Sequence, residues 1–205
     1  MPLVYQQNIN AITKMGVWHI TETEDFFLSQ VPLQKEITHW RKRLQHLAGR
    51  YLLKELYPDF PLALIKIADT RKPFLEDEAY HFSISHCGDY AAVIVSKEYR
   101  VGVDVELVND KIEKIIYKFL SRQEKTLLHP NAINTTATLL WSVKESVYKW
   151  KGAGGVDFIK HINIQSIEEK QDEGVVHCLF NKEIPLQVHY LHFNNNFLTW
   201  LLTLH

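Results

Sequence analysis

Apolar positions along the chain recur with two different periods. In residues 34–56, Ile37, Trp40, Leu44, Leu47, Ala48, Tyr51 and Leu52 return at three- and four-residue steps, the spacing of one helix face, and Pro58 and Pro61 close the pattern. Ahead of it, residues 15–20 form a short β-prone apolar run, and residues 21–30 open with threonine and acidic residues as helices do. Behind it, residues 62–68, 81–85, 90–96 and 101–107 read as short strands, punctuated by Gly88-Asp89 and Gly102. Helical spacing returns at 111–120, at 121–129, where Ser121 and Glu124 have capping-box spacing, and at 136–150, stopped by Gly152, Gly154 and Gly155. Residues 162–204 predict three or four strands with polar turns at 171–174 and 194–196. The order strand, helix, strands occurs twice. It predicts an α+β protein of two similar lobes, residues 1–100 and 101–205.

Composition narrows the class. An apolar content of 46% with 12% aromatics excludes a disordered chain. Lys and Arg total 23 against 24 Asp and Glu, so the net charge of -1 excludes a dedicated nucleic-acid binder. Two cysteines, Cys87 and Cys178, do not make a disulfide framework, and a reducing, cytoplasmic setting is expected. No signal-peptide pattern and no apolar run of about 18 residues is present, so no membrane partner is expected. Any functional charge has to lie in local clusters.

One cluster is acidic. In Val101-Gly102-Val103-Asp104-Val105-Glu106, strand alternation turns Asp104 and Glu106 to one face. Two carboxylates flanked by apolar residues need water or a cation, and a hard divalent ion such as Mg²⁺ takes one or two carboxylates and completes its shell with water and phosphate oxygens. The bland alternative is an ordinary half-exposed strand with acidic outer positions. In the helical segment, Trp141, Glu145 and Lys149 fall at i, i+4 and i+8 on one side. They are either a surface Glu–Lys pair or a metal ligand or general base followed by a phosphate ligand.

A second set is basic. Lys35, Arg41, Lys42, Arg43, Arg50 and Lys54 cluster on the first long helix, and Arg43, Arg50 and Lys54 stack along one flank of its apolar stripe. They are solubilising flank residues or a phosphate-facing edge. Arg71-Lys72-Pro73 is a basic turn, and Ser83-Ile84-Ser85-His86-Cys87-Gly88-Asp89 brings hydroxyls, an imidazole and a glycine turn to a strand end, the makings of an anion nest. A Cys87–His86 nucleophile has no evident third orienting group, and no compact zinc-ligand spacing appears.

Taken together, F-S-I-S-H-C-G-D-Y at 82–90, V-G-V-D-V-E at 101–106 and W-S-V-K-E-S-V-Y-K at 141–149 resemble the signature segments of 4'-phosphopantetheinyl transferases of the Sfp type, in the same order. R-K-P at 71–73 resembles the family's G-K-P turn, and L-A-G-R-Y-L-L at 47–53 its first-lobe helix. Arg71 stands where the family has glycine, and Cys87 where serine is common. The resemblance implies two similar α+β lobes about a pseudo-twofold axis, with coenzyme A in the cleft between them. It also implies Mg²⁺-dependent transfer of the 4'-phosphopantetheine arm to a serine of an acyl or peptidyl carrier protein, releasing adenosine 3',5'-bisphosphate.

Residue by residue, the resemblance makes Asp104, Glu106 and Glu145 the metal-binding acids and Lys149 the pyrophosphate contact. Lys72, His86 and Ser83 match groups around the nucleotide phosphates, with Arg50, Arg43 and Lys35 as looser first-lobe matches. Glu145 is the candidate base for the serine hydroxyl, directly or through metal-bound water, and Glu106 the second candidate. Residues 111–120, with Lys111, Lys114 and Lys118 among isoleucines, either dock the acidic carrier or simply pack on the sheet. Two other function classes remain open at this stage. One is a non-catalytic coenzyme A or carrier-protein binder on the same fold, and the other a metal-dependent phosphodiesterase.

Overall fold

The computed structural model describes residues 2–33 and 36–204 of the chain. Lys35 therefore lies outside the described residues. The chain divides into two compact units, Met1–Val101 with Leu202–His205, and Gly102–Leu201.

The first unit begins with β1 (Leu3–Asn10) and β2 (Thr13–His19), followed by α1 (Glu24–Leu28) and α2 (Trp40–Leu56). After a 3-10 turn at Leu62–Leu64 come β3 (Lys66–Ile67), β4 (Pro73–Phe74), β5 (His81–Cys87) and β6 (Tyr90–Ser96). Its main sheet runs β1-β2-β6-β5, antiparallel throughout, and β3 pairs with β4 alone. α2 lies on this sheet through Leu47, Ala48, Leu52, Leu53 and Leu56, all essentially buried. Gly49 permits the approach, because a Cβ there would sit 2.8 Å from Ile84 Cγ2. The β5–β6 hairpin turns on two residues, with Gly88 at φ 55 in the first loop position, where L side chains are strained. α2 clasps that turn: Gln45 Nε2 donates to the Gly88 carbonyl at 2.8 Å and Arg41 pairs with Asp89 at 2.9 Å.

Three expectations change here. The long helix starts at Trp40, not near residue 34, because the Ile37 carbonyl accepts from the Arg43 guanidinium at 2.9 Å instead of a helical N–H. Residues 62–68 form a 3-10 turn and a two-residue strand, since hydrogen bonds from Leu62 N to Phe60 O and Leu64 N to Pro61 O wind the chain tightly after the proline. β1 escaped notice because its interior, Tyr5-Gln6-Gln7-Asn8, is polar, as an edge strand allows.

The second unit opens with β7 (Arg100–Leu107), a 3-10 segment at Asp110–Ile115 and the single turn α3 (Ile116–Phe119). A further 3-10 turn at Glu124–Leu127 leads to α4 (Ile133–Lys151), then to β8 (Ile162–Lys170), β9 (Glu173–Phe180), β10 (Ile184–Phe193) and β11 (Asn196–Thr203). The sheet order is β7-β11-β10-β9-β8, with the last four strands an antiparallel meander. Asn194 and Asn195, at φ 44 and 60, make the two-residue β10–β11 turn. Leu140, Val143, Val147 and Trp150 of α4 join Ile162, Val176, Val188 and Leu201 of the strands in one core.

The helices expected at 111–120 and 121–129 are mostly 3-10 turns. The capping box does form, with Ser121 N donating to Glu124 Oε2 at 2.8 Å and Glu124 N to Ser121 Oγ at 3.2 Å. Its glutamate is then held by the tertiary fold: Glu124 Oε1 accepts from Lys144 Nζ at 2.7 Å and from Ile164 N at 2.9 Å. Pinned to α4 and β8, the segment has no freedom to extend. Gly152, at φ 72, ends α4 in the left-handed conformation expected of a glycine stop.

Candidate active site

The acidic cluster is assembled entirely within the second unit, by close contact of β7 with α4. Gly102 sets that contact. A Cβ at this position would overlap the Ser146 carbonyl oxygen and lie 2.9 Å from Trp150 N, so only hydrogen lets the helix backbone rest on the strand. Period-two alternation carries Asp104 and Glu106 to the same face as Gly102, toward α4. Asp104 is not an outward strand acid, since only 2% of it is exposed. Its Oδ1 accepts from Lys149 Nζ at 2.6 Å and its Oδ2 from Ser142 Oγ at 2.8 Å. Glu106 Oε1 accepts from Trp141 Nε1 at 3.3 Å. Trp141, Ser142, Glu145 and Lys149 come from successive turns of α4, so the helical spacing read from the sequence becomes a row facing the two strand acids.

Glu145 is the electrostatic centre of this arrangement. Its carboxyl is pushed up to about 7, first by burial, then by the Asp104 charge, with Lys149 pulling the other way and Glu106 adding to the rise. A carboxyl so placed changes charge near neutrality, which is what a general base requires. Lys149 is more than a surface partner of Glu145, because its ammonium reaches back to Asp104. Among the described residues, no three His, Cys, Asp or Glu side chains are grouped so as to hold a metal ion by themselves. The donor set is nonetheless one that a hard cation suits: oxygen ligands only, and a glutamate whose ionisation neighbouring carboxylates oppose.

Several groups that hold the site carry no obvious sequence signal. Ser142 and Ser146, four residues apart on α4, both reach Thr199 of β11, and all three are fully buried. Lys144 is also fully buried. Its ammonium pairs with Glu124 and donates to the Phe158 and Ile162 carbonyls at 2.7 and 2.8 Å, so all three protons are used. Small residues four apart, next to a Gly two residues before an acid, were the available hint.

The remaining candidates lie in the first unit. Lys72 follows Arg71, which holds a left-handed φ of 65. Burial, and then the charge of Arg100, push the Lys72 ammonium down to about 8. Arg100 was not singled out from the sequence. His86 is exposed at the end of β5, while Ser83 on the same strand is buried. Arg50 is 7% exposed, and burial pushes its guanidinium down to about 10. Its NH1 meets His46 Nδ1 at 3.3 Å and its Nε has no hydrogen-bond partner among the described residues. Arg43 is engaged elsewhere: it grips Glu24 through Nε and NH2, at 2.5 and 2.8 Å, and the Ile37 carbonyl through NH1, tying α1 to α2. This fork occupies the side chain that the resemblance makes a phosphate contact. Neither cysteine forms a disulfide among the described residues, and burial pushes Cys178 up to about 12, out of any nucleophilic role.

The family model for the 4'-phosphopantetheinyl transferase superfamily matches residues 100–202, half of the chain and the segment that carries the acids. The chain belongs to this superfamily. Among its relatives, enterobactin synthase component D of Salmonella austin is 30% identical over 112 residues, covering 53% of this chain and 47% of that one. The L-aminoadipate-semialdehyde dehydrogenase-phosphopantetheinyl transferase of Saccharomyces cerevisiae is 31% identical over 140 residues, 62% of this chain and 52% of that one. The 4'-phosphopantetheinyl transferase gsp of Aneurinibacillus migulanus is 28% identical over 148 residues, with 70% and 59% covered. The chain spans about half to two thirds of the length of the curated relatives it matches. Among the described residues, no helix is long and apolar enough to cross a membrane. The mixed helix-and-sheet architecture agrees with the superfamily assignment.

Proposed function

We propose that the chain transfers the 4'-phosphopantetheine arm of coenzyme A to a serine of an acyl or peptidyl carrier protein. The observation that carries this reading is Glu145, poised near 7 beside Asp104, Glu106 and Lys149. A non-catalytic binder would have no use for a glutamate held at this electrostatic cost. The serine oxygen attacks the phosphorus that bears the pantetheine arm, and its proton passes to the Glu145 carboxylate. The bond from that phosphorus to the bridging oxygen breaks, and adenosine 3',5'-bisphosphate departs with the electron pair. Lys149, 24% exposed on its side chain, offers its charge to the pyrophosphate oxygens as negative charge builds there.

On this reading Asp104, Glu106 and Glu145 hold Mg²⁺, which would offset the repulsion among the three carboxylates and stabilise charge on the transferring phosphoryl group. Lys72, His86, Ser83 and Arg50 receive the nucleotide phosphates. The exposed Lys114, Tyr117 and Lys118 face an acidic carrier, beside an open depression of about 550 Å³ lined by Ile115, Trp141 and Phe158. Ile112 and Phe119, by contrast, are buried and anchor the segment. The site works in a reducing cytoplasm, where carrier proteins and coenzyme A meet.

The decisive experiment incubates the protein with apo carrier proteins, coenzyme A and Mg²⁺, and reads the carrier by mass spectrometry. Added phosphopantetheine mass on a carrier serine is the expected result. Absence of that mass with every carrier, despite tight coenzyme A binding, would make the chain a binder instead. Hydrolysis of coenzyme A without a carrier would point to a phosphodiesterase.

A further inference from the structure

We infer that Thr199 is a positioning residue for the active site, acting through a one-way chain of hydroxyl hydrogen bonds that ends on Asp104. The inference deepens the transferase reading and rests on it for its catalytic consequence, though not for its structural content.

Thr199 lies on β11, in none of the three signature segments, and nothing in the sequence pattern marks it. The distances are these. Ser142 Oγ meets Asp104 Oδ2 at 2.8 Å and Thr199 Oγ1 at 3.0 Å. Thr199 Oγ1 also meets the Ser142 carbonyl at 2.9 Å and Ser146 Oγ at 2.6 Å. Ser146 Oγ is 3.0 Å from the Thr199 carbonyl. Ser142, Ser146 and Thr199 are each 0% exposed, so water does not complete these contacts.

A hydroxyl has one proton to give, and an ionised carboxylate can only accept. The Ser142 proton is therefore directed to Asp104. Ser142 Oγ can then only accept from Thr199, and the Ser142 carbonyl accepts as well. The Thr199 proton is shared between these two acceptors of one residue. With the Thr199 proton so placed, Ser146 offers its own to Thr199, at 2.6 Å from Oγ1 and 3.0 Å from the carbonyl. In the order Ser146 to Thr199 to Ser142 to Asp104 no donor faces a donor. Each link polarises the next toward the carboxylate.

The consequence is geometric. Ser142 engages one lone pair of Oδ2 and Lys149 approaches Oδ1, so the carboxylate plane of Asp104 is fixed. Its remaining lone pairs are held in one orientation relative to Glu145. Thr199 holds Ser142 through its contacts with Oγ and the carbonyl, and thereby helps hold Asp104 from the neighbouring strand.

The test is a double-mutant cycle on metal-free protein, read by urea unfolding, with Thr199→Val, Asp104→Asn and the double variant. Valine keeps the shape and removes only the hydroxyl. Thr199 and Asp104 lie on neighbouring strands, so packing alone couples them whatever side chain stands at 199, and the relay adds a part that follows the hydroxyl. It requires a coupling of at least about fivefold in the unfolding equilibrium constant. It also requires that Thr199→Ser, which keeps the hydroxyl, restore both stability and that coupling. Additivity within about twofold, or a Ser variant no better than Val, would overturn the inference. If Thr199→Val fails to fold, Ser146→Ala against Asp104→Asn tests the same chain one link further out, with the same two readings. In the transfer assay, Thr199→Val should lower kcat about tenfold with little change in the KM for coenzyme A. The cycle needs no activity, so a chain that fails to transfer would refute the transferase reading and leave the relay standing on its own result.

Discussion

Replacing Glu145 by glutamine should stabilise the metal-free protein while abolishing transfer. The Glu145 carboxyl rises from its ordinary 4.5 to about 7 because burial and the charges of Asp104 and Glu106 disfavour its ionised form more than Lys149 favours it. At about 1.4 kcal/mol for each pH unit, the rise amounts to about 3 kcal/mol. The sign follows from proton counting. Between about 4.5 and 7 the folded state holds a proton that the unfolded state has lost, so folding weakens as pH climbs through this window and carries the whole cost above it. Glutamine has no charge to bury. Glu145→Gln should therefore be near neutral in stability at pH 4.5 and up to about 3 kcal/mol more stable than wild type at pH 8. Urea unfolding in EDTA at the two pH values measures both. A variant equally or less stable at pH 8 would mean that Glu145 is not held against its charge, and the assignment of a poised base would fall with it. In the carrier assay the same variant should show no phosphopantetheine transfer.

Further outcomes follow from the packing and charges of the two units. Gly102→Ala must push the α4 backbone off β7, at a cost of about 1–3 kcal/mol in urea unfolding. Because the shift separates Asp104 from Ser142 and Lys149, transfer should fall further than stability does, and retention of full activity would contradict the proposed role of that contact. Lys144→Met leaves Glu124 ionised, buried and without its cation, so a loss of about 3–5 kcal/mol is expected, read as a lowered urea midpoint. A loss below about 1 kcal/mol would show that Glu124 finds water or takes up a proton there. Lys72, pushed down to about 8, should be about half neutral at pH 8 and acylate far faster than ordinary lysines. Coenzyme A should slow that labelling, while modification at the common lysine rate, mapped by peptide mass spectrometry, would speak against a depressed ammonium.

Most elements were legible in the sequence because their apolar period survives into the fold. Residues 90–96 read as a strand and are β6, and the capping box at Ser121 and Glu124 forms as its spacing predicts. Errors fell where tertiary contacts override local preference. Arg43 captures the Ile37 carbonyl and delays the start of α2, and Lys144 holds Glu124 so that the following helix stops after one 3-10 turn.

The sequence by itself determined which side chains could do chemistry. Alternation in β7 and the four-residue spacing in α4 fix which residues share a face, because those periods are properties of the backbone. Only the tertiary structure decided what the faces meet. Lys149 pairs with Asp104, Arg43 grips Glu24, and Thr199 on β11 meets two serines of α4, one of which donates to Asp104 of β7. Partner choice between distant segments depends on how closely two backbones approach. In this chain one glycine, at position 102, sets that approach, and no local pattern states how near the helix will come.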